Sequence, residues 1–259
     1  MDDIYQIAKK LADVSDTPLL DTRLLSESAS SAEELALFIQ RRQNHEPVSK
    51  IIGRRGFWKS DFITTLDVLD PRPDSETMID TVLHTCSDTV QPYRILDIGT
   101  GSGCLLFSLL DEYPKAFGIG VDISEKALAV AKMNLGHRRA ELKKMDLMHP
   151  FPNDIGLFDI IISNPPYIPT SDIEDLSPDV RLYDPMLALD GGPDGLNAYR
   201  ALAKHIPEVL KPTGFVFLEI GIHQAESVVD LFKLAGFSHV STQPDLGGIP
   251  RIIVFKKEV

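Results

Sequence analysis

Residues 157–169, LFDIIISNPPYIP, limit what this chain can fold into more than any other stretch. An apolar run of strand character ends at Asn164-Pro165-Pro166-Tyr167, because prolines lack the N–H that a central ladder needs and fix the backbone where they stand. Asn164 is therefore presented at the carboxyl end of a buried strand. In an open parallel α/β sheet, that edge is where ligands sit.

The sequence around this strand alternates strand and helix periods. Strands are expected at 93–98, 117–121, 141–145, 157–163, 215–220, 237–242 and 251–255, with helices at 103–112, 124–135, 196–210 and 223–235. A long Pro- and Gly-rich loop spans 168–194, and Lys211-Pro212-Thr213-Gly214 reads as a turn. This order predicts an α/β protein with a Rossmann-like, doubly wound, mostly parallel seven-stranded sheet. Upstream, apolar residues at Ile4, Ile7, Ala8 and Leu11, then at Leu19, Leu20, Leu24 and Leu25, then at Leu35, Leu37, Phe38 and Ile39 predict three short helices. Ser31 and Glu34 suit a capping box for the third. The expected division is a helical unit at 1–46, a connecting β-hairpin at 47–70 and the α/β domain at 71–259.

Charge narrows the partners. Thirty-eight acidic against 26 basic residues leave a net charge of -12, which disfavours attraction to nucleic-acid phosphates or an anionic membrane. The acidic amino terminus and the lack of a long apolar run predict no signal, transit or transmembrane segment. Cys86 and Cys104 are the only cysteines and no HExxH pattern occurs, so a reducing, cytoplasmic setting without a metal site is expected. One local reversal stands out: Arg41, Arg42, Lys50, Arg54, Arg55 and Lys59 face the single acid Glu46 between positions 41 and 60. A solvated surface and a docking patch for an acidic partner are both open readings. Arg72, between Pro71 and Pro73, is either a placed functional cation or part of a rigid turn into a helix.

A second constellation lies at 95–103, where Ile95-Leu96-Asp97-Ile98 runs into Gly99-Thr100-Gly101-Ser102-Gly103. Glycines there allow positive φ and let a ligand lie against the main chain at the start of a helix. The Gly-x-Gly-x-Gly spacing is not that of a dinucleotide fold. Asp122, ending the next strand, is placed to accept the hydroxyls of a ribose, and Asp146, ending the third, to meet an adenine amino group beside Leu147. Each acid alone is an ordinary strand-end residue. Three ligand-facing signals at successive strand ends favour a cofactor carrying adenosine and an amino acid, with its charged tail near Asp97.

Asp97 to Gly103 with Asp122 resembles the first motif and second-strand acid of class I S-adenosylmethionine-dependent methyltransferases, and Asn164-Pro165-Pro166-Tyr167 resembles the motif of those that methylate planar amino groups. Residues 45–53, 68–76, 190–200, 218–224 and 248–251 are similar to the release factor glutamine methyltransferase family. Asp70, Ser75, Asp184 and Leu147 depart from its usual aliphatic, threonine, glutamate and aromatic residues. The resemblance implies methyl transfer from S-adenosylmethionine to the glutamine of the Gly-Gly-Gln motif of class I peptide chain release factors, a step of translation termination. It implies a monomer with a helical domain that grips the release factor, and neither nucleic acid nor membrane as partner. Asn164 and the Pro165 carbonyl would accept the two N–H bonds of the amide, with Pro166, Tyr167 and Arg72 around the substrate and Tyr167 against its flat face. A ribosomal-protein glutamine methyltransferase, an adenine-N6 or guanine-N2 methyltransferase and a nonenzymatic nucleotide-binding adaptor are the alternatives.

Overall fold

Three helices open the chain, α1 (Asp2–Leu11), α2 (Pro18–Ser28) and α3 (Ala32–Gln43), in a computed structural model that describes residues 2–258. Pro18 begins α2, where its missing N–H costs nothing. Ser31 Oγ accepts from Glu34 N at 3.2 Å and caps α3, but the returning Glu34 carboxylate accepts from Ser30 N, one residue earlier than a capping box requires. Ile7, Leu11, Leu25 and Phe38 form the helical core together with Ile51.

Ile51 belongs to a fourth helix, α4 (Val48–Ile52), where a strand of the connecting hairpin was expected. Pro47 leads into it and Gly53 ends it at φ 76°, the left-handed stop that glycine supplies without strain. The hairpin itself is shorter, β1 (Arg54–Phe57) and β2 (Ser60–Ile63), closed by Trp58 and Lys59.

The basic run of 41–60 is not a uniform solvated face: Arg54 is exposed and Arg55 lies 3.9 Å from Asp70, while the other four cations are paired or buried. Arg41 pairs with Glu46 at 2.6 Å, Arg42 with Asp21 at 2.8 Å and Lys59 with Glu112 at 2.6 Å. Lys50 is buried, donating to Thr64 Oγ1, Thr65 O and Val68 O at 3.1, 2.7 and 2.6 Å.

Beyond α5 (Glu76–Thr85) come β3 (Arg94–Ile98), α6 (Cys104–Glu112), β4 (Phe117–Asp122), α7 (Glu125–Asn134), β5 (Ala140–Lys144) and β6 (Phe158–Ser163). Then follow α8 (Pro178–Tyr183), α9 (Asn197–His205), β7 (Leu210–Glu219), α10 (Ala225–Leu234), β8 (Phe237–Pro244) and β9 (Pro250–Lys257). The sheet order is β5-β4-β3-β6-β7-β9-β8, with the first five parallel and β9 antiparallel to both neighbours. Chain order reverses between β3 and β6, which opens a crevice at their carboxyl ends.

Three local expectations are corrected. The loop 168–194 carries α8 and two 3-10 turns. Residues 211–214 are not a turn ahead of β7 but a bulge within it, since Phe158 pairs Leu210 while Ile160 pairs Phe215. The helix expected over 196–210 gives way after His205 to a 3-10 turn containing Pro207, which has no N–H to continue the ladder.

Alternation along the strands builds a core on each face: Leu96, Ile98, Ile161 and Leu218 on one, Ile95, Ile160, Ile162 and Phe217 on the other. Asp97 and Glu219 follow the second set by parity, two buried carboxylates on an otherwise apolar face.

Candidate active site

Register aligns the strand ends. Ile98 pairs with Val121 on one side and Ser163 on the other, and Ser163 pairs with Leu218. One residue further along each strand stand Gly99, Asp122, Asn164 and Glu219, a row across the carboxyl edge of the sheet. Above this edge lies a cleft of about 370 Å³.

The glycine loop forms the floor. Gly99 and Gly101 take φ 77° and 54°, and a Cβ on either would meet open space. These glycines serve the backbone path and leave room for a ligand against it. Gly103, at φ 82°, serves packing instead, because a Cβ there would lie 2.3 Å from the Phe107 ring; its absence lets α6 begin flush with the loop. Asp97 lies beneath, 1% exposed, with Oδ2 accepting from Thr100 Oγ1 at 2.7 Å. Its Oδ1 has no partner among the described residues. Burial pushes its carboxyl up to about 7, with the Thr100 hydroxyl opposing that shift.

Asp122 holds the wall beside the loop, accepting from Gly101 N on Oδ2 and from Ser124 N on Oδ1, both at 2.9 Å. Burial raises its carboxyl pKa, and those backbone donors counter it. Asp146 accepts from Met148 N at 2.9 Å and stands with Leu147 in the same cleft.

Of the expected site residues, Gly99, Thr100, Gly101, Ser102, Asp122, Asp146, Leu147, Asn164, Pro166 and Arg72 line the cleft. Asp97, Gly103, Pro165 and Tyr167 do not. Pro165 is buried. Tyr167 packs against the Leu96 and Tyr199 cluster, with its ring 3.0 Å from where a Cβ on Gly221 would be. Its expected stacking on the substrate is therefore not the observed arrangement. Its carbonyl accepts from Gln224 Nε2 at 2.9 Å, which ties the motif to the start of α10. Arg72 is not a free cation: its Nη2 lies 2.6 Å from Asp184 Oδ2.

Sequence reasoning missed the groups behind Asn164. Ser75 Oγ lies 3.3 Å from Asn164 Nδ2 and donates to Glu219 Oε2 at 2.5 Å. Burial drives the Glu219 carboxyl up to about 7, against the pull of Ser75 and Arg251. An acid ending an apolar strand was the visible signal for Glu219; Ser75, in a proline-rich turn, carried none. Missed too was the outer wall, built by Val68, Leu69 and Asp70 after the hairpin and by Pro185, Leu187 and Ala188 after α8.

A methyltransferase-domain model matches residues 95–183. The ribosomal protein L11 methylase of Lactobacillus delbrueckii subsp. bulgaricus shares the fold at TM-score 0.53 and 16% identity, over 79% of this chain and 89% of that one. Sheet order, glycine loop and strand-end acids define a class I S-adenosylmethionine-dependent methyltransferase. The release factor glutamine methyltransferase of Caulobacter vibrioides is 42% identical over 259 residues, covering 92% of this chain and 89% of its own. That of Geobacter sulfurreducens is 41% identical over 85% of this chain and 78% of its own. The chain belongs to the release factor glutamine methyltransferase family.

The site fits the methyl donor of that class. The unpartnered Asp97 Oδ1 is a buried acceptor suited to an ammonium, and the open faces of Gly99 and Gly101 leave space for the chain of the ligand. S-adenosylmethionine supplies an electrophilic methyl group on a sulfonium sulfur.

Proposed function

We propose that this chain transfers a methyl group from S-adenosylmethionine to the side-chain nitrogen of the glutamine in the Gly-Gly-Gln motif of class I peptide chain release factors. The observation that supports this reading is the placement of Asn164 one residue past Ser163, which pairs with Ile98 immediately before the glycine loop, so that Asn164 and the glycine loop line one cleft.

An amide nitrogen is a poor nucleophile because its lone pair is delocalised into the carbonyl, so the rate must come from placement. In this reading Asn164 Oδ1 and the Pro165 carbonyl accept the two N–H bonds of the glutamine and aim its nitrogen at the methyl carbon. Orientation of this kind supplies roughly 7–11 kcal/mol in favourable systems. The same oxygens put negative dipoles where positive charge develops. No strong base is needed, since the methylated nitrogen sheds its proton readily. Asp122 would hold the ribose hydroxyls, Asp146 and Leu147 the adenine, and Asp97 the ammonium.

A protein acceptor is consistent with the net charge of -12, which handicaps a nucleic-acid one. Exposed Leu19, Leu20 and Leu37 on the helical unit offer apolar contact to a protein substrate. Two free thiols, Cys86 and Cys104, suit a reducing cytoplasm. The test is Asn164→Ala in single-turnover transfer from labelled S-adenosylmethionine to a purified release factor. We expect loss of at least about 100-fold in rate with cofactor affinity within a few fold. A near-native rate refutes the clamp.

A further inference from the structure

The clamp residue and the two residues behind it come from distant parts of the chain. Ser75 closes the 3-10 turn Pro73–Ser75, Asn164 follows β6 and Glu219 ends β7. Ser75 and Glu219 are 3% and 2% exposed, with Ser75 at the margin of the cleft.

The donor sense of this chain of contacts follows from chemistry. An ionised carboxylate only accepts, so the Ser75 hydroxyl proton belongs to Glu219 and the Ser75 oxygen is left as an acceptor. Asn164 must then offer an N–H to Ser75, and its Oδ1 turns to the opposite side. We propose that Ser75 and Glu219 are positioning residues that fix the rotation of the Asn164 amide, so that an acceptor and not a donor meets the amino group of the substrate. The inference rests on the reading of Asn164 as the clamp. The terminal torsion of an asparagine is broad and nearly two-fold, and without the relay the amide can present its NH₂ to the substrate NH₂, donor against donor.

The relay also has a protonation state. Once protonated, Glu219 becomes a donor, the Ser75 hydroxyl is free to reverse, and the amide loses its single orientation. Burial holds the Glu219 carboxyl near 7, so this loss falls within the working range of pH. Arg251 opposes protonation from β9, while Asp74, beside Ser75, promotes it. Tyr167, Tyr199 and Cys104 also face this carboxylate, and burial raises the pKa of all three, leaving them neutral in that range.

The experiment compares Ser75→Ala, Ser75→Thr, Glu219→Gln and Asn164→Ala with a purified class I release factor at saturating S-adenosylmethionine. Calorimetry with S-adenosylhomocysteine reports folding and cofactor binding for each. Ser75→Ala is expected to lower kcat about 10- to 100-fold, with the release-factor KM and the S-adenosylhomocysteine affinity within about threefold of the parent. Ser75→Thr keeps the hydroxyl and is expected to recover most of that loss. In Glu219→Gln the relay has no fixed sense, so kcat is expected to fall and the fall in kcat below pH 7 expected of the parent to disappear. Ser75→Ala with kcat within about threefold of the parent, beside an inactive Asn164→Ala, overturns the positioning role and leaves the clamp standing. So does a Ser75→Thr no better than Ser75→Ala, or a Glu219→Gln that keeps the acid limb. An active Asn164→Ala overturns the clamp, and this inference with it.

Discussion

Acidification will weaken S-adenosylmethionine binding, and the slope will belong to Asp97. This carboxylate is 1% exposed, has one hydrogen-bonded oxygen and one without a partner, and is pushed by burial from the ordinary 3.8 to about 7. That rise corresponds to roughly 4 kcal/mol against the ionised form. The sign follows from linkage: a raised carboxyl contributes stability that is fully present below pH 3.8 and is lost as pH rises through about 7. The ligand-free protein therefore carries an unfavourable buried charge above neutrality, and an ammonium beside the free Oδ1 offsets it. Binding then demands the ionised form, while the α-amino group of the ligand, near 7.7–8.0, must keep its proton. Affinity should be greatest between about pH 7 and 8 and roughly five- to sixfold lower at pH 6 than at pH 7.5, with proton release on binding at the acid end. Isothermal titration calorimetry in buffers of different ionisation enthalpy measures both. Asp97→Asn keeps the shape but not the charge, and is expected to lower affinity at pH 7.5 about 10- to 100-fold and to erase the acid slope. An affinity flat within about twofold between pH 6 and 7.5, or an Asp97→Asn variant with the parental slope, refutes the ammonium pairing.

Two further substitutions probe what holds the cleft. Lys50→Met removes the donor shared by Thr65 O and Val68 O and the 3.5 Å partner of Asp184, and urea denaturation should show a loss of about 3–5 kcal/mol; less than about 1 kcal/mol would mean the buried amine is dispensable. Gly195→Ala would place a Cβ 2.3 Å from the Tyr167 carbonyl at φ 72°, and should reduce kcat at least about tenfold with cofactor affinity preserved, which parallel kinetics and calorimetry can check.

The strand ends were legible because each joins a buried apolar run to residues that sheets do not use internally. Gly99 to Gly103 after β3, Asp122 after Val121 and the prolines after Asn164 are breaks with a chemical sense of their own. Glu219 ends β7 in the same way, but its meaning depends on Ser75, 144 residues away, and no local pattern reports such a contact. Tyr167 shows the limit from the other side. Its aromatic character was visible; its direction is set by Gly221, Gly195 and Gln224, which surround it only after folding. The α4 helix is five residues long, too short to express a 3.6-residue period, and α8 lies between Pro178 and Pro185, which mark a loop when read alone. In both, flanking residues set the boundaries and tertiary packing the conformation.

The parts that the sheet does not supply are joined by a single buried cluster. Asp70 N donates to Asp184 Oδ1 at 3.2 Å, Arg72 pairs with Asp184 at 2.6 Å, and Ser49 Oγ donates to Asp70 Oδ2 at 2.8 Å. Lys50 reaches the same Asp184, with burial lowering its pKa, and burial raises the Asp184 carboxyl in turn. These contacts tie the segment that leaves the hairpin to the segment that follows α8, the two strips forming the outer wall of the cleft. Lys50 and Ser49 sit on α4, whose Ile51 is a core residue of the helical unit. The outer wall therefore takes its position from the amino-terminal helices as well as from the sheet, and Tyr183 Oη, 2.8 Å from Asn44 O, adds a second tie between them. A doubly wound sheet alone would leave the crevice open on that side. The chain closes it with charges that are costly to bury singly and tolerable only as a complete set, so the helical unit and the donor site are parts of one structure.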